Sequence, residues 1–145
     1  MVAGLATITP ASGTVGPAGA LLIGFMAGLV CFYATQAVKS YFKIDDSLDV
    51  FPVHGVGGIL GIIMLAIVGN PDGFLGSGAS GISEDGVVAQ LVIQLQGVFI
   101  ICAYTALITY VILKVLNMFI EVRVTNEQED IGLDMSEHNE QGYSL

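Results

Sequence analysis

The sequence predicts an all-α fold, a polytopic bundle of membrane-spanning helices. Hydrophobic residues make up 54% of the 145 residues and charged residues only 12%, where a soluble chain carries roughly 25% charged residues. Mean hydropathy is +0.79. Three runs, 18–38, 50–69 and 87–113, contain no Asp, Glu, Lys or Arg, and a helix needs about 20 such residues to cross a bilayer core. Nineteen glycines without a collagen period fall largely inside or beside these runs, as suits helices whose backbones pack closely in lipid.

The first apolar stretch, Met1 to Val38, has no charged residue, but Thr9-Pro10-Ala11-Ser12-Gly13 and Gly16-Pro17 interrupt it. Residues 1–9 are too short to span and are expected as a helix stump, with a short interfacial turn as the alternative. The first full span is 18–38, and Lys39 and Lys43 are expected to end it. Gly16, Ala20, Gly24 and Gly28 recur every four residues, a small-residue stripe against which a neighbouring helix is expected to pack. The second span, 50–69, follows Asp46, Ser47 and Asp49, which are helix-start residues favoured by unpaired N–H groups and by the helix dipole. Pro52 falls in the first turn, where a missing N–H matters least. Residues 70–86 are expected as a loop, rich in glycine and carrying three acids and no base. The third span is 87–113. With continuation to Ile120 it would hold 34 residues and reach roughly 50 Å, beyond a bilayer core of about 30 Å, so it would tilt or protrude. Residues 1–120 are therefore expected as a membrane domain. Residues 121–145 are expected as a polar tail with a short amphipathic element and a mobile end.

Charge is placed unevenly. The tail holds seven acids (Glu121, Glu127, Glu129, Asp130, Asp134, Glu137, Glu140) and one base, Arg123, which is -6 of the net -9. Three spans put the 39–49 loop and the tail on one side of the membrane, and all four bases (Lys39, Lys43, Lys114, Arg123) lie on that side. The positive-inside rule makes that side cytoplasmic. The acidity argues against nucleic acid as a partner. No basic n-region precedes the first apolar run, so no signal peptide is read. Cys31 and Cys102 lie in different spans and are expected as small packing residues, with a disulfide as the alternative.

His54 is the one ionisable side chain inside 50–69, and such residues within membrane segments often mark substrate or proton pathways. On an α-helix it shares a face with Val50, Gly57, Gly58 and Gly61. That face is either a groove for a packed neighbouring helix or a narrow conduit in which a small solute meets an imidazole. A neutral imidazole has one donor and one acceptor and exchanges protons near neutral pH. It suits ammonia or water better than an alkali cation. His138 lies in the tail, so there is no metal-ligand cluster. No nucleophile–base–acid set, phosphate loop or cofactor motif is present, and no enzyme is expected. Gly76-x-Gly78-x-x-Gly81 has dinucleotide-loop spacing, but no strand precedes it.

Four stretches resemble one family in that family's own order. Gly4-Leu5-Ala6-Thr7-Ile8-Thr9-Pro10-Ala11-Ser12-Gly13 is similar to the end of the eighth helix of the ammonium transporter/channel family (Amt/Mep/Rh). Asp45-Asp46-Ser47-Leu48-Asp49-Val50-Phe51-Pro52-Val53-His54-Gly55-Val56-Gly57-Gly58 resembles the segment entering its tenth helix. Glu121-Val122-Arg123-Val124 and Glu127-Gln128-Glu129-Asp130-Ile131-Gly132-Leu133-Asp134 resemble its cytoplasmic C-terminal region. The resemblance implies an eleven-helix protomer built on an inverted repeat, assembled as a homotrimer in the plasma (inner) membrane, with a hydrophobic pore through each subunit. It implies that His54 is the second of two pore histidines and that Val50 lines the pore one turn away. Asp49 would be a structural or vestibule acid at the start of the same helix. The substrate implied is ammonium, deprotonated and passed on as ammonia. A PII-type signalling protein at the cytoplasmic face is the implied partner, and no cofactor or metal is implied.

The chain departs from the family in length. The first seven helices and most of the eighth have no counterpart here, and with them go the first pore histidine, the phenylalanine gate and the outer recruitment site. The chain is therefore expected to be a C-terminal fragment, or a truncated frame from Met1, that does not conduct by itself. The alternative is a membrane-anchored interaction or sensor protein whose acidic tail recruits a cytosolic signalling partner.

Overall fold

Six α-helices form among the described residues, which in this computed structural model are 1–69 and 86–140. They are α1 (Val2–Ile8), α2 (Pro17–Gln36), α3 (Gly57–Val68), α4 (Val87–Leu116), α5 (Asn126–Ile131) and α6 (Leu133–His138). Three helical stretches, Pro17–Tyr41, Phe51–Val68 and Val87–Leu116, are long and apolar enough to cross a membrane. The chain groups into two units, Met1–Ile101 and Cys102–Leu145. The loop expected at 70–86 lies outside the described residues except for Gly86, whose φ of 94° starts α4 from a conformation that suits glycine. The Gly76, Gly78, Gly81 spacing falls in the same undescribed stretch, as does the tail beyond residue 140.

In the first unit α1 is short, as its eight-residue apolar run requires, and a 3₁₀ turn at Thr9–Ala11 carries the chain away at Pro10. Pro17 opens α2, where its missing N–H leaves no bond unmade. The helix does not stop at Val38. It continues through a π-helical turn, Ala37–Tyr41, in which Phe42 N–H reaches the Ala37 carbonyl at 2.9 Å. Lys39 lies within the continued helix and does not end the span, and its ammonium pairs with Asp49 at 2.8 Å. The end comes at Lys43, in the left-handed region with φ 53°, after which Ile44 N–H closes back on the Val38 carbonyl at 3.0 Å.

The buried stripe of α2 is Gly19, Ile23, Ala27 and Cys31, one position away from the stripe expected at Gly16, Ala20, Gly24 and Gly28. Within the expected stripe, Gly24 lies beside Gly4 of α1, but Gly28 is exposed. The reason is that α2 is apolar on every side, so composition does not select which small residues face a neighbour. Ile23 joins Ala11, Met64 and Val68 in a core to which Ile8, Val15, Leu22, Met26 and Leu60 contribute. Glycine also sets the approach of α3 to α1. A Cβ on Gly61 would collide with the Thr7 carbonyl, and one on Gly57 would stand 2.9 Å from the Thr7 hydroxyl and 3.3 Å from the Cys31 sulfur.

α4 holds 30 residues, which at 1.5 Å per residue is about 45 Å, longer than a bilayer core of about 30 Å. It ends at Leu116, so the expected continuation to Ile120 is replaced by turns over 117–119. From Phe99 to Leu116 its large apolar residues are exposed all round, the character of a helix that belongs in a protein core or a membrane.

In the second unit the amphipathic element takes the form of two short helices. Thr125 starts α5 with a capping box: its hydroxyl accepts from the Gln128 N–H at 3.3 Å, and the Gln128 side chain accepts from the Thr125 N–H at 2.9 Å. Arg123 pairs with Glu129 at 2.9 Å, and the Gln128 amide donates to Glu137 of α6 at 2.9 Å. Gly132, with φ 97°, makes the bend between the helices. Thr125→Ala removes the cap and is expected to destabilise α5 by about 1 kcal/mol. Amide exchange at Gln128 measures this, and an unchanged rate would contradict it.

Candidate functional site

The site begins with the N–H groups at the start of the second span. Asp46 accepts from Val50 N–H at 2.9 Å through Oδ1 and from Phe51 N–H at 2.8 Å through Oδ2. Pro52 has no N–H. Val53 N–H reaches the Asp49 carbonyl at 3.0 Å. The donors that a helix start normally leaves unpaired are thus each accounted for. Of the three expected helix-start residues, Asp46 alone accepts through its side chain. Asp49 acts through its main chain and its pairing with Lys39.

Asp49 adopts φ 55°, a region that non-glycine residues populate sparsely and Asp tolerates better than most. Three contacts hold it there: the Lys39 pair, its N–H on the Asp46 carbonyl at 3.2 Å, and its carbonyl on Val53. Both partners of the ion pair are substantially exposed, with side chains 44% and 31% accessible. Its value is therefore geometric, since exposed pairs add little stability. It joins the end of one span to the start of the next.

Residues Phe51–Val56 then form a second π-helical turn, with α pitch resuming at Gly57. His54 lies inside this turn and is exposed, as is Val50 at 51%. The turn changes the expected face. Bonding from i to i+5 takes one residue more per ring than an α turn, so residues before Gly57 are rotated relative to α3. Gly57 and Gly61 are buried against Thr7, while a Cβ on Gly58 would meet open space. His54 and Val50 are exposed and a Cβ on Gly58 would be unobstructed, whereas Gly57 and Gly61 are buried. The three glycines expected on one face thus have two surroundings: Gly57 and Gly61 pack on α1, and Gly58 is open.

Behind the packed face is a small polar centre that the sequence did not single out. Thr7 is fully buried. Its hydroxyl makes no hydrogen bond of ordinary geometry and has the Cys31 thiol beside it. Thr9, two residues on, bonds the Leu5 carbonyl at 2.8 Å. Only the pairing of Thr7 with two glycines of α3 marks it out, and that is a matter of tertiary contact. Cys31 is buried, Cys102 is exposed, and both are free thiols. The packing role expected of cysteine fits Cys31, and the two do not form a disulfide. Among the described residues, no group of three His, Cys, Asp or Glu is placed to hold a metal ion. In the second unit a cavity of about 250 Å³ is lined by Tyr110, Leu113, Lys114, Asn117 and Val122, with the Lys114 ammonium 5.6 Å from the Tyr110 ring centre.

Comparison with known proteins gives one consistent result. The family described as Ammonium Transporter Family matches residues 1–143. An ammonium transporter of Archaeoglobus fulgidus is 40% identical over 144 residues, covering 99% of this chain and 35% of that protein. One of Aquifex aeolicus is 39% identical over 145 residues, covering 100% and 33% respectively. One of Bacillus subtilis is 33% identical over 144 residues, covering 98% and 35%. The chain spans about a third of the length of the curated relatives it matches. No solved structure matches it.

Proposed function

The chain belongs to the ammonium transporter family, and on that premise we propose that it forms part of a path by which ammonium or ammonia crosses the plasma membrane, with His54 on that path. The observation that carries the reading is the placing of His54. It stands on the open side of a membrane-spanning helix, one turn after Val50, in a run free of charged side chains. A neutral imidazole there offers one donor and one acceptor to a small solute and little else. Val50 supplies an apolar wall on the same side. Asp49 acts as a structural acid through its Lys39 pair.

The transporting unit in this reading is a larger protomer, in keeping with relatives about three times as long as this chain, and the family resemblance supports its assembly as a homotrimer. Residues 1–120 serve as its membrane part and 121–145 as a cytoplasmic tail, the orientation following from Lys39, Lys43, Lys114 and Arg123 lying on one side. The folded acidic helices α5 and α6 are the surface that a cytosolic PII-type signalling protein would meet.

The test uses the chain within a full-length family protomer in vesicles. His54→Ala is expected to change ammonium or methylammonium uptake by on the order of tenfold, the scale of one lost polar contact to a buried solute. Flux and selectivity that match the parent protein would end the pathway reading.

A further inference from the structure

We infer that Asp46 is a positioning residue for His54: by holding the main-chain N–H groups of Val50 and Phe51 it fixes the wide turn Phe51–Val56 and so sets which side of the helix carries the imidazole. The functional weight of this assignment rests on the reading of His54 as a pathway residue. The geometric claim does not.

The two ends of the helix are fixed by different means. Gly57 and Gly61 seat α3 closely on Thr7, where a Cβ at either position would crowd that residue. Everything before Gly57 is joined to that packed portion through the π-helical turn, which holds one residue more than α pitch requires. Such a turn persists only where something compensates for it. Here the compensation lies at its first residues. The Asp46 carboxylate takes two successive donors at 2.9 and 2.8 Å, one with each oxygen, and hydrogen bonds to an ionised acceptor are the stronger kind. The chain between Asp46 and Val50 folds back to allow this, with Asp49 N–H on the Asp46 carbonyl and Asp49 left-handed.

Without the carboxylate, these two main-chain donors, which lie at the exposed start of the span, would turn to water or to new acceptors. The least disruptive relaxation is for the turn to tighten toward α pitch, so that Val50 and Phe51 find new acceptors. Tightening rotates His54 relative to α3. The side chain required at position 46 therefore needs two acceptor oxygens. Asparagine offers one, and alanine none. The neighbouring Asp45 makes no hydrogen bond or ion pair among the described residues, so it serves as a control for loss of charge alone.

The experiment places the full chain in lipid nanodiscs with His138→Gln, leaving His54 as the single histidine. Its imidazole nitrogen resonances and the amide exchange of Val50 and Phe51 are followed together. With Asp46→Ala, exchange at both amides is expected to rise on the order of tenfold and the imidazole resonances to move. With Asp46→Asn, one amide is expected to stay protected and the imidazole to move less. Asp45→Ala is expected to leave all of these unchanged. Imidazole resonances that stay in place while Val50 and Phe51 open would overturn the positioning role, as would an equal response to Asp45→Ala. Should Asp46→Ala not fold, Asp46→Asn carries the test. In a full-length protomer, a moved imidazole with unaltered ammonium uptake supports the positioning role and removes the pathway reading, so the two fail separately.

Discussion

Gly61→Ala is expected to destabilise the membrane helices more than any other single added methyl. Its Cβ would enter the space of the Thr7 carbonyl and lie 3.2 Å from the Pro10 ring, and neither is the mobile end of a side chain. Overpacking of this kind typically costs about 1–3 kcal/mol, and a backbone obstacle places Gly61 at the upper end. Other glycines give the scale. At Gly19 the nearest obstacle is the Val68 side chain, which has rotamers available to it, so Gly19→Ala is expected to be milder. At Gly24 and Gly58 a Cβ meets nothing within 4 Å, and alanine should stabilise the helix there by about 0.5–1 kcal/mol. Unfolding of the chain in detergent or nanodiscs measures the series. If Gly58→Ala proves as damaging as Gly61→Ala, the packing of α3 on α1 is wrong.

Ile23→Ala is the second large effect. Ile23 is fully buried among Ala11, Met64 and Val68. In a water-soluble core such a truncation costs about 2–5 kcal/mol, as lost transfer free energy plus a cavity. In a bilayer the separated helices still hold the side chain in hydrocarbon, so the transfer part shrinks and lost packing dominates. The expected loss is therefore about 2 kcal/mol, near the bottom of that range. The same unfolding measurement checks it, with Leu21→Ala as reference, since Leu21 on the same helix is 77% exposed. Equal losses at the two positions would place Ile23 outside the core.

The spans were legible because an absence of charge over twenty residues has one physical interpretation, and Pro10, Pro17 and Gly13 interrupt the apolar run where the helices begin and end. What was not legible is which side of each helix faces a neighbour. α2 and α3 are apolar all round, so periodicity carries no signal, and Gly19 proves to be buried where Gly16 and Gly28 are not. The two π-helical turns were hidden for a related reason. They occur beside the Lys39–Asp49 pair and the Asp46 bonds to Val50 and Phe51, contacts made by a loop folding back on itself. His54, Val50 and Asp49 were named from the sequence as one site. The role of Asp46 was not separable there from that of Ser47 and Asp49, because all three are residues that start helices. Thr7 gave no sign at all beyond being a threonine in an apolar run.

The accounting of donors at the start of the second span has an electrostatic consequence. A helix presents about half a positive charge at its first turn, and bare N–H groups there ordinarily attract anions. Here Pro52 deletes one donor, and the Asp46 carboxylate occupies two others from within the chain. A chloride or phosphate ion approaching this end finds no vacant row of donors, and a small cation meets a carboxylate in place of the uncancelled end of a dipole. The fold has filled its own anion site, and the helix end no longer repels positive charge.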